Sequence, residues 1–95
     1  MIKLNYNFKD KVVLVTGSSV GLGYEIAKSY LKSGANLIIC SKNYKKIRKA
    51  HKSLKSIKKK SQKVFSLSVD VSKTQDVYKL IKFSIKKFKK IDILI

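Results

Sequence analysis

Three glycines lie between a short apolar run and an amphipathic segment, in the order Thr16-Gly17-Ser18-Ser19-Val20-Gly21-Leu22-Gly23. A strand that turns through glycines into a helix can bind a pyrophosphate, because the first N–H groups of the helix are unpaired and carry partial positive charge. We expect Gly17 to avoid a Cβ clash at the turn, Gly21 to admit the phosphates and Gly23 to let the helix pack on the sheet. The alternative is a tight turn without a ligand, but strand, spacing and helix together favour a dinucleotide site.

Apolar patterning sets this motif in an alternating series of strands and helices. Continuous apolar runs predict buried strands at residues 12–15, 36–40, 64–69 and 91–95, and helical spacing predicts helices at 21–33 and 44–60. A third helix is expected after Ser72 or Thr74 as its cap, with an apolar stripe of Val77, Leu80, Ile81, Ser84, Ile85 and Phe88. This alternation indicates the α/β class, with parallel strands joined by right-handed crossovers.

Four segments in order resemble the short-chain dehydrogenase/reductase family. The spacing Gly-x-x-x-Gly-x-Gly after Thr16 is similar to its fingerprint, and residues 8–17, 33–39, 69–72 and 91–95 look like its strand motifs. The resemblance implies a partial Rossmann-type doubly wound parallel sheet of strand order 3-2-1-4 with helices on both faces. It also implies an oxidoreductase that moves a hydride between a nicotinamide dinucleotide and an alcohol/carbonyl pair.

The length of 95 residues limits the chain to one domain. In the family, an Asn-Ala-Gly motif and the catalytic Ser and Tyr-x-x-x-Lys follow the fourth strand. The resemblance therefore implies that residues 1–95 are the incomplete N-terminal part of a single NAD(P)-binding Rossmann domain, with no catalytic residue and no turnover of its own. A small-molecule carbonyl or alcohol substrate and a homo-oligomeric parent protein are expected, and the substrate's identity stays open.

Two Tyr-x-x-x-Lys matches occur before the fourth strand, at Tyr24–Lys28 and Tyr78–Lys82. This spacing places Tyr and Lys one helical turn apart, where the ammonium lowers the phenol pKa for acid–base catalysis. Both pairs lie on helices other than the one that carries the family's catalytic pair. We interpret them as chance matches in a lysine-rich chain.

The end of the second strand is where such sites select their cofactor. An acidic residue there binds the adenosine ribose and repels a 2′-phosphate, but this chain has Ser41 followed by Lys42. Ser41 removes the repulsion and Lys42 offers a point charge to the phosphate, which favours NADP(H) over NAD(H). Relatives that prefer NADP often carry a second basic residue where this chain has Val20. The alternative for Lys42 is an ordinary surface lysine.

Asp70 and Val71 follow the third strand, and the resemblance implies that they contact the adenine. The alternative for Asp70 is capping of the following helix, and both roles are compatible. The full set of predicted cofactor-binding residues is Gly17, Ser18, Ser19, Gly21, Leu22, Gly23, Ser41, Lys42, Asp70 and Val71.

The formal net charge of +18 raises the alternative of a basic nucleic-acid-binding protein. Arg48 is the only arginine, however, and base recognition favours arginine forks, so no specific nucleic-acid partner is expected. A stand-alone nucleotide-binding module is the other alternative. Cys40 is interpreted as a small buried residue and His51 as a solvated one, with no metal site. No segment has the length of a signal peptide or membrane span, which favours a cytoplasmic protein.

Overall fold

The structure is a computed structural model and describes residues 7–95, in which strands and helices alternate. In chain order the elements are β1 (Val12–Val15), α1 (Gly21–Lys32), β2 (Asn36–Ser41), α2 (Tyr44–Ile57), β3 (Val64–Ser68), α3 (Thr74–Phe88) and β4 (Ile93–Leu94). Every predicted element is present. Most boundaries lie within three residues of the predicted ones, and the α/β class is confirmed.

The four strands form one parallel sheet in the order β3-β2-β1-β4, as predicted. Val12 of β1 pairs with Asn36 of β2, and the ladder runs to Val15 opposite Ile39. The register between β2 and β3 ends with Ser41 opposite Ser68. Since the strands are parallel, the carboxyl ends of β1, β2 and β3 meet at one edge of the sheet, where the glycine motif begins.

Alternate side chains of the strands fill two separate cores, because successive residues of a strand point to opposite faces. Val13 and Leu37 belong to the core beneath α1 and α2, while Leu14 and Ile38 belong to the core beneath α3. All four side chains are completely buried. Helices therefore cover both faces, which confirms the doubly wound arrangement.

The third helix differs from the prediction in its stripe and its cap. Leu80 and Ser84 are buried, whereas Val77, Ile81 and Ile85 are 38%, 36% and 42% exposed, because the described sheet covers only part of that helix face. The predicted caps at Ser72 and Thr74 are wrong. The N-cap position is taken by Lys73 without a side-chain hydrogen bond, and Thr74 is the first helical residue.

The strand β4 covers two residues where five were predicted. Lys89 ends α3 in a left-handed conformation with φ of 67°, so the residues before β4 are needed to turn the chain back to the sheet. Asp92 then fixes the entry into β4, because its Oδ2 accepts a hydrogen bond of 2.7 Å from the Val12 N–H and lies 3.0 Å from Lys90 Nζ.

Candidate dinucleotide-binding site

The turn after β1 depends on backbone conformations that favour glycine. Gly17 and Gly21 have φ of 57° and 63°, in the left-handed region. A Cβ at either position would meet nothing within 4 Å, so the predicted steric clash at Gly17 is wrong. The requirement at Gly17 is conformational, since an L residue adopts this φ only at an energetic cost.

Gly23, in contrast, is required for close packing. A Cβ there would overlap the carbonyl oxygen of Gly17 and approach Ser18 Cα to 3.2 Å. The close contact is thus between the first turn of α1 and the glycine loop itself. The sequence had predicted a close contact between this helix and the sheet. The observed contact holds the loop against the helix that follows it.

Ser18 fixes the other side of the loop. Its hydroxyl donates to the Val15 carbonyl at 2.8 Å and accepts from the Cys40 N–H at 3.1 Å, while its own N–H donates to the Cys40 carbonyl at 3.1 Å. The side chain is completely buried. Both of its donors, the hydroxyl and the N–H, are thus bound to protein, and they hold the loop against β1 and β2.

The N-terminus of α1 is well suited to an anion. Its N-cap residue, Val20, makes no side-chain hydrogen bond, and the first turn contains no acidic residue. The partial positive charge of the helix end is therefore not neutralised by capping side chains. Ser19 is half-buried, and Leu22 is 70% exposed beside this end of the helix.

A crevice of about 290 Å³ opens at the carboxyl ends of the first three strands. It brings together five predicted site residues, namely Gly17, Ser41, Lys42, Asp70 and Val71. Its lining also includes Cys40, Val69 and Ser72, which were not among the predicted site residues. Each of the three is adjacent in sequence to a predicted residue at a strand end, and this position could have indicated that it belongs to the site. The other predicted residues, Ser18, Ser19, Gly21, Leu22 and Gly23, do not line this crevice.

Asp70 shapes one wall of the crevice. Its Oδ1 accepts hydrogen bonds from the Ser72 N–H at 3.0 Å and the Ser72 hydroxyl at 2.6 Å. These two bonds, aided by the charges of Lys42 and Lys73, hold the pKa of the Asp70 carboxyl below its ordinary value. The Asp70 N–H donates to Asp76 Oδ2 at 2.7 Å, so Asp76 anchors the same turn.

Ser41 and Lys42 line the crevice at the end of β2, between the strands that Gly17 and Asp70 follow. The Ser41 hydroxyl donates to the Asn43 carbonyl at 3.2 Å, and Ser68 Oγ donates to the Lys42 carbonyl at 3.4 Å. These bonds hold the backbone after β2, while the Lys42 side chain stays exposed. The arrangement places a cation at the rim of a crevice that begins at the glycine loop.

Comparison with known proteins assigns this fold and loop to a family. The profile of the short chain dehydrogenase family matches residues 11–95. The chain belongs to the short-chain dehydrogenase/reductase (SDR) family. Members of this family are oxidoreductases that bind NAD(P), so the crevice of this SDR chain lies where a dinucleotide site is expected.

Individual SDR proteins resemble nearly all of the chain. It is 39% identical over 83 residues to "Chlorophyll(ide) b reductase NOL, chloroplastic" from Arabidopsis thaliana, covering 87% of this chain and 23% of that protein. It is 38% identical over 88 residues to "Dehydrogenase/reductase SDR family member 4" from Caenorhabditis elegans, covering 93% of this chain and 33% of that protein.

A solved SDR structure also matches nearly the whole chain. L-sorbose reductase from Gluconobacter frateurii, complexed with NADPH and L-sorbose, matches with a TM-score of 0.87 at 30% identity, covering 96% of this chain and 34% of that chain. The SDR chain thus spans about a quarter to a third of the length of these proteins.

Neither Tyr-x-x-x-Lys match lies in the crevice lining. Tyr24 packs against the core beneath α1, and Tyr78 is 72% exposed on α3. Cys40 is buried and free, as predicted. Burial raises the pKa of its thiol to about 11, although a backbone hydrogen bond from Gly17 opposes the rise, so the thiol is protonated at neutral pH.

His51 is not the solvated side chain that was predicted. It is half-buried, with Nδ1 at 2.5 Å from Ser66 Oγ. Among residues 7–95 no group of His, Cys, Asp or Glu side chains is arranged to hold a metal ion. The helices in this part of the chain are all too short or too polar to cross a membrane.

Proposed function

We propose that residues 1–95 form the N-terminal, cofactor-binding part of a single Rossmann domain in an SDR oxidoreductase that uses NADP(H) on an alcohol/carbonyl pair. The observation that carries this proposal is the glycine loop. Gly23 permits α1 to contact the Gly17 carbonyl, and Ser18 fixes the loop to β2. This places an uncapped helix end beside a crevice at the carboxyl ends of three parallel strands.

The residues present fit a dinucleotide. Backbone amides of the loop and first helical turn would bind the pyrophosphate, with Ser19 and Leu22 beside the adjacent ribose. The far end of the crevice would hold the adenosine, where the Asp70 carboxylate accepts a hydrogen bond from the adenine amino group and Val71 contacts the ring. Ser72 supports this role, because its two hydrogen bonds to Asp70 keep that carboxylate ionised and oriented.

The preference for NADP(H) rests on the wall formed by Ser41 and Lys42. Ser41 carries no charge that would repel a 2′-phosphate, and Lys42 is an exposed cation on a fixed backbone. Among similar SDR structures one contains NADPH and another contains NAD, so the preference rests on these two residues alone. Ser41 and Lys42 would therefore discriminate through the phosphate on the adenosine ribose.

The dinucleotide supplies the hydride chemistry, and this chain's own residues bind and orient it. We assign the proton donor for the carbonyl to none of residues 1–95. The chain alone is then expected to bind cofactor without turnover of a small-molecule alcohol or carbonyl substrate. A homo-oligomeric parent protein and a cytoplasmic location stay predictions.

Calorimetric titration of the chain with NADPH and with NADH tests this proposal. We expect saturable binding at one site and tighter binding of NADPH, because only NADPH carries the phosphate that Lys42 neutralises. Tighter binding of NADH would overturn the cofactor preference. Cofactor-dependent turnover of an alcohol by the chain alone would overturn its assignment as a binding part.

A further inference from the structure

A second concave surface, the α2–β3 groove, lies away from the dinucleotide crevice. It encloses about 520 Å³ and is lined by Arg48, Lys49, His51, Lys52, Lys55 and Ser66. None of these residues lines the crevice at the strand ends. The groove is therefore a separate site, formed by the side of a helix and an edge strand of the sheet.

The groove concentrates positive charge without a neutralising carboxylate. Four of its six lining residues are Lys or Arg and none is acidic. The ion pair between Lys90 and Asp92 lies beside β4, at the opposite edge of the sheet from β3. Burial, together with the charges of Lys55 and Arg48, lowers the pKa of His51. Such like-charge repulsion is relieved when an anion binds.

The Arg48 side chain of the groove is held by a neighbouring residue of α2. Arg48, Lys52 and Lys55 recur at helical spacing, so they share one face of α2. The Arg48 guanidinium lies 5.7 Å from the centre of the Tyr44 ring, and its Nη1 donates to the Tyr44 hydroxyl at 3.5 Å. Part of the positive face is thereby oriented before any ligand binds.

His51 and Ser66 form the floor of the groove. His51 Nδ1 lies 2.5 Å from Ser66 Oγ, which links the second turn of α2 to the middle of β3. These two half-buried side chains add polar groups to a lining whose other members are cationic. The groove therefore combines an arginine fork, lysine ammonium groups and polar side chains within one small volume.

We propose that the α2–β3 groove binds a small molecule carrying two or more phosphate groups. Arginine binds phosphate oxygens through its planar fork, and lysine binds them as a point charge. A single phosphate would contact only part of the lining, whereas a chain of phosphates would reach successive turns of α2. The volume lies within the range typical of small-ligand sites.

The test uses the ring signals of His51, which is the only histidine in the chain. Inorganic tripolyphosphate is titrated into the chain while proton NMR follows these signals, with and without NADPH at saturation. We expect a saturable shift that corresponds to one site and persists when NADPH is bound. A His51 shift that persists with NADPH bound shows that the groove is a site separate from the dinucleotide crevice. The outcome therefore does not depend on the proposed function.

Two variants with matched loss of charge locate the site. Arg48→Gln with Lys52→Gln removes two positive charges from the groove, and Lys79→Gln with Lys82→Gln removes two from α3. The first pair should weaken tripolyphosphate binding by about tenfold or more, and the second pair by less than about twofold. Equal weakening in both pairs would show general charge attraction and overturn the proposal.

Two further outcomes would also contradict the proposal. A His51 shift that grows linearly with tripolyphosphate, without saturation, would show that the groove is not a specific site. A single-stranded RNA that binds through Arg48 and Lys52 while tripolyphosphate does not would assign the surface to nucleic acid instead.

Discussion

Ser18 and Cys40 pair across the end of the sheet as if β1 continued beyond its last residue. The Ser18 N–H donates to the Cys40 carbonyl at 3.1 Å, and the Cys40 N–H donates to Ser18 Oγ at 3.1 Å. A side-chain oxygen thus replaces the backbone carbonyl that a longer strand would supply. Because the Ser18 hydroxyl accepts this hydrogen bond, the chain can leave the sheet at Gly17 while the Cys40 N–H of β2 remains hydrogen-bonded.

Replacing Ser18 with alanine tests this pairing. Ser18→Ala leaves the buried Cys40 N–H without its acceptor, and we expect the free energy of unfolding to fall by about 1–3 kcal/mol. Urea denaturation measures the loss. Ser19→Ala, in the neighbouring half-buried position, is the control and should change stability by less than about 0.5 kcal/mol. Equal losses would contradict a specific role for the Ser18 hydroxyl.

Gly23 provides a second test, because its Cβ would collide with backbone. Gly23→Ala should destabilise the fold by about 1–3 kcal/mol. By displacing the loop it should also weaken NADPH binding by about tenfold or more. Thermal unfolding and calorimetry measure the two effects. Lys28→Ala, on the same helix, is the control. Unchanged NADPH affinity in Gly23→Ala would separate the loop from the ligand.

The succession of strands and helices was predictable because it follows from local apolar patterns, whereas the strand order was implied by the resemblance to the SDR family. Continuous apolar runs identified the buried strands, and the glycine spacing identified the loop. The role of Ser18 was not predictable, since its partner Cys40 is 22 residues away and the pairing depends on sheet register. Side-chain hydrogen bonds between distant segments leave no periodic signal in a sequence.

Gln62 illustrates the same limit in the core. Its amide nitrogen donates to the Leu31 carbonyl at 2.8 Å and the Ala35 carbonyl at 2.6 Å, which joins the turn before β3 to the end of α1. His51 is a further case, because its contact with Ser66 joins a helix to a strand 15 residues later. Both Gln62 and His51 lie among lysines in the sequence, so nothing indicated that these polar side chains would be buried or half-buried.

Lys42 is expected to determine the cofactor preference. Lys42→Ala should weaken NADPH binding by about tenfold and leave NADH binding within about twofold, because only NADPH carries the 2′-phosphate. Calorimetry with both cofactors measures the difference. Lys45→Ala removes an equally exposed charge from α2 and should affect neither cofactor. A loss shared by both cofactors would assign Lys42 a general electrostatic role.

Asp92 makes the stability of the fold depend on pH. Hydrogen bonding from the Val12 N–H, followed by the Lys90 ammonium, lowers the pKa of Asp92 in the folded state. Its contribution is therefore complete above the ordinary carboxyl pKa of about 3.9 and is lost as the pH falls below that value.

Thermal unfolding between neutral pH and about pH 3 tests this dependence. Asp92→Asn should lower the melting temperature at neutral pH and flatten its decline in acid, because the charged form is absent throughout. Asp10→Asn is the control. Asp10 has a left-handed φ of 64°, a conformation that asparagine also adopts, so only its charge is removed. The same flattening in both variants would rule out a specific contribution from Asp92.

Backbone amide NMR during addition of NADPH shows directly whether the glycine loop binds the dinucleotide. We expect a saturable response at one site, with the largest shifts at the amides of residues 17–23 and smaller ones at Lys42 and Asp70. Saturable shifts confined to other residues, or no saturable shift at the glycine loop, would contradict dinucleotide binding by this loop.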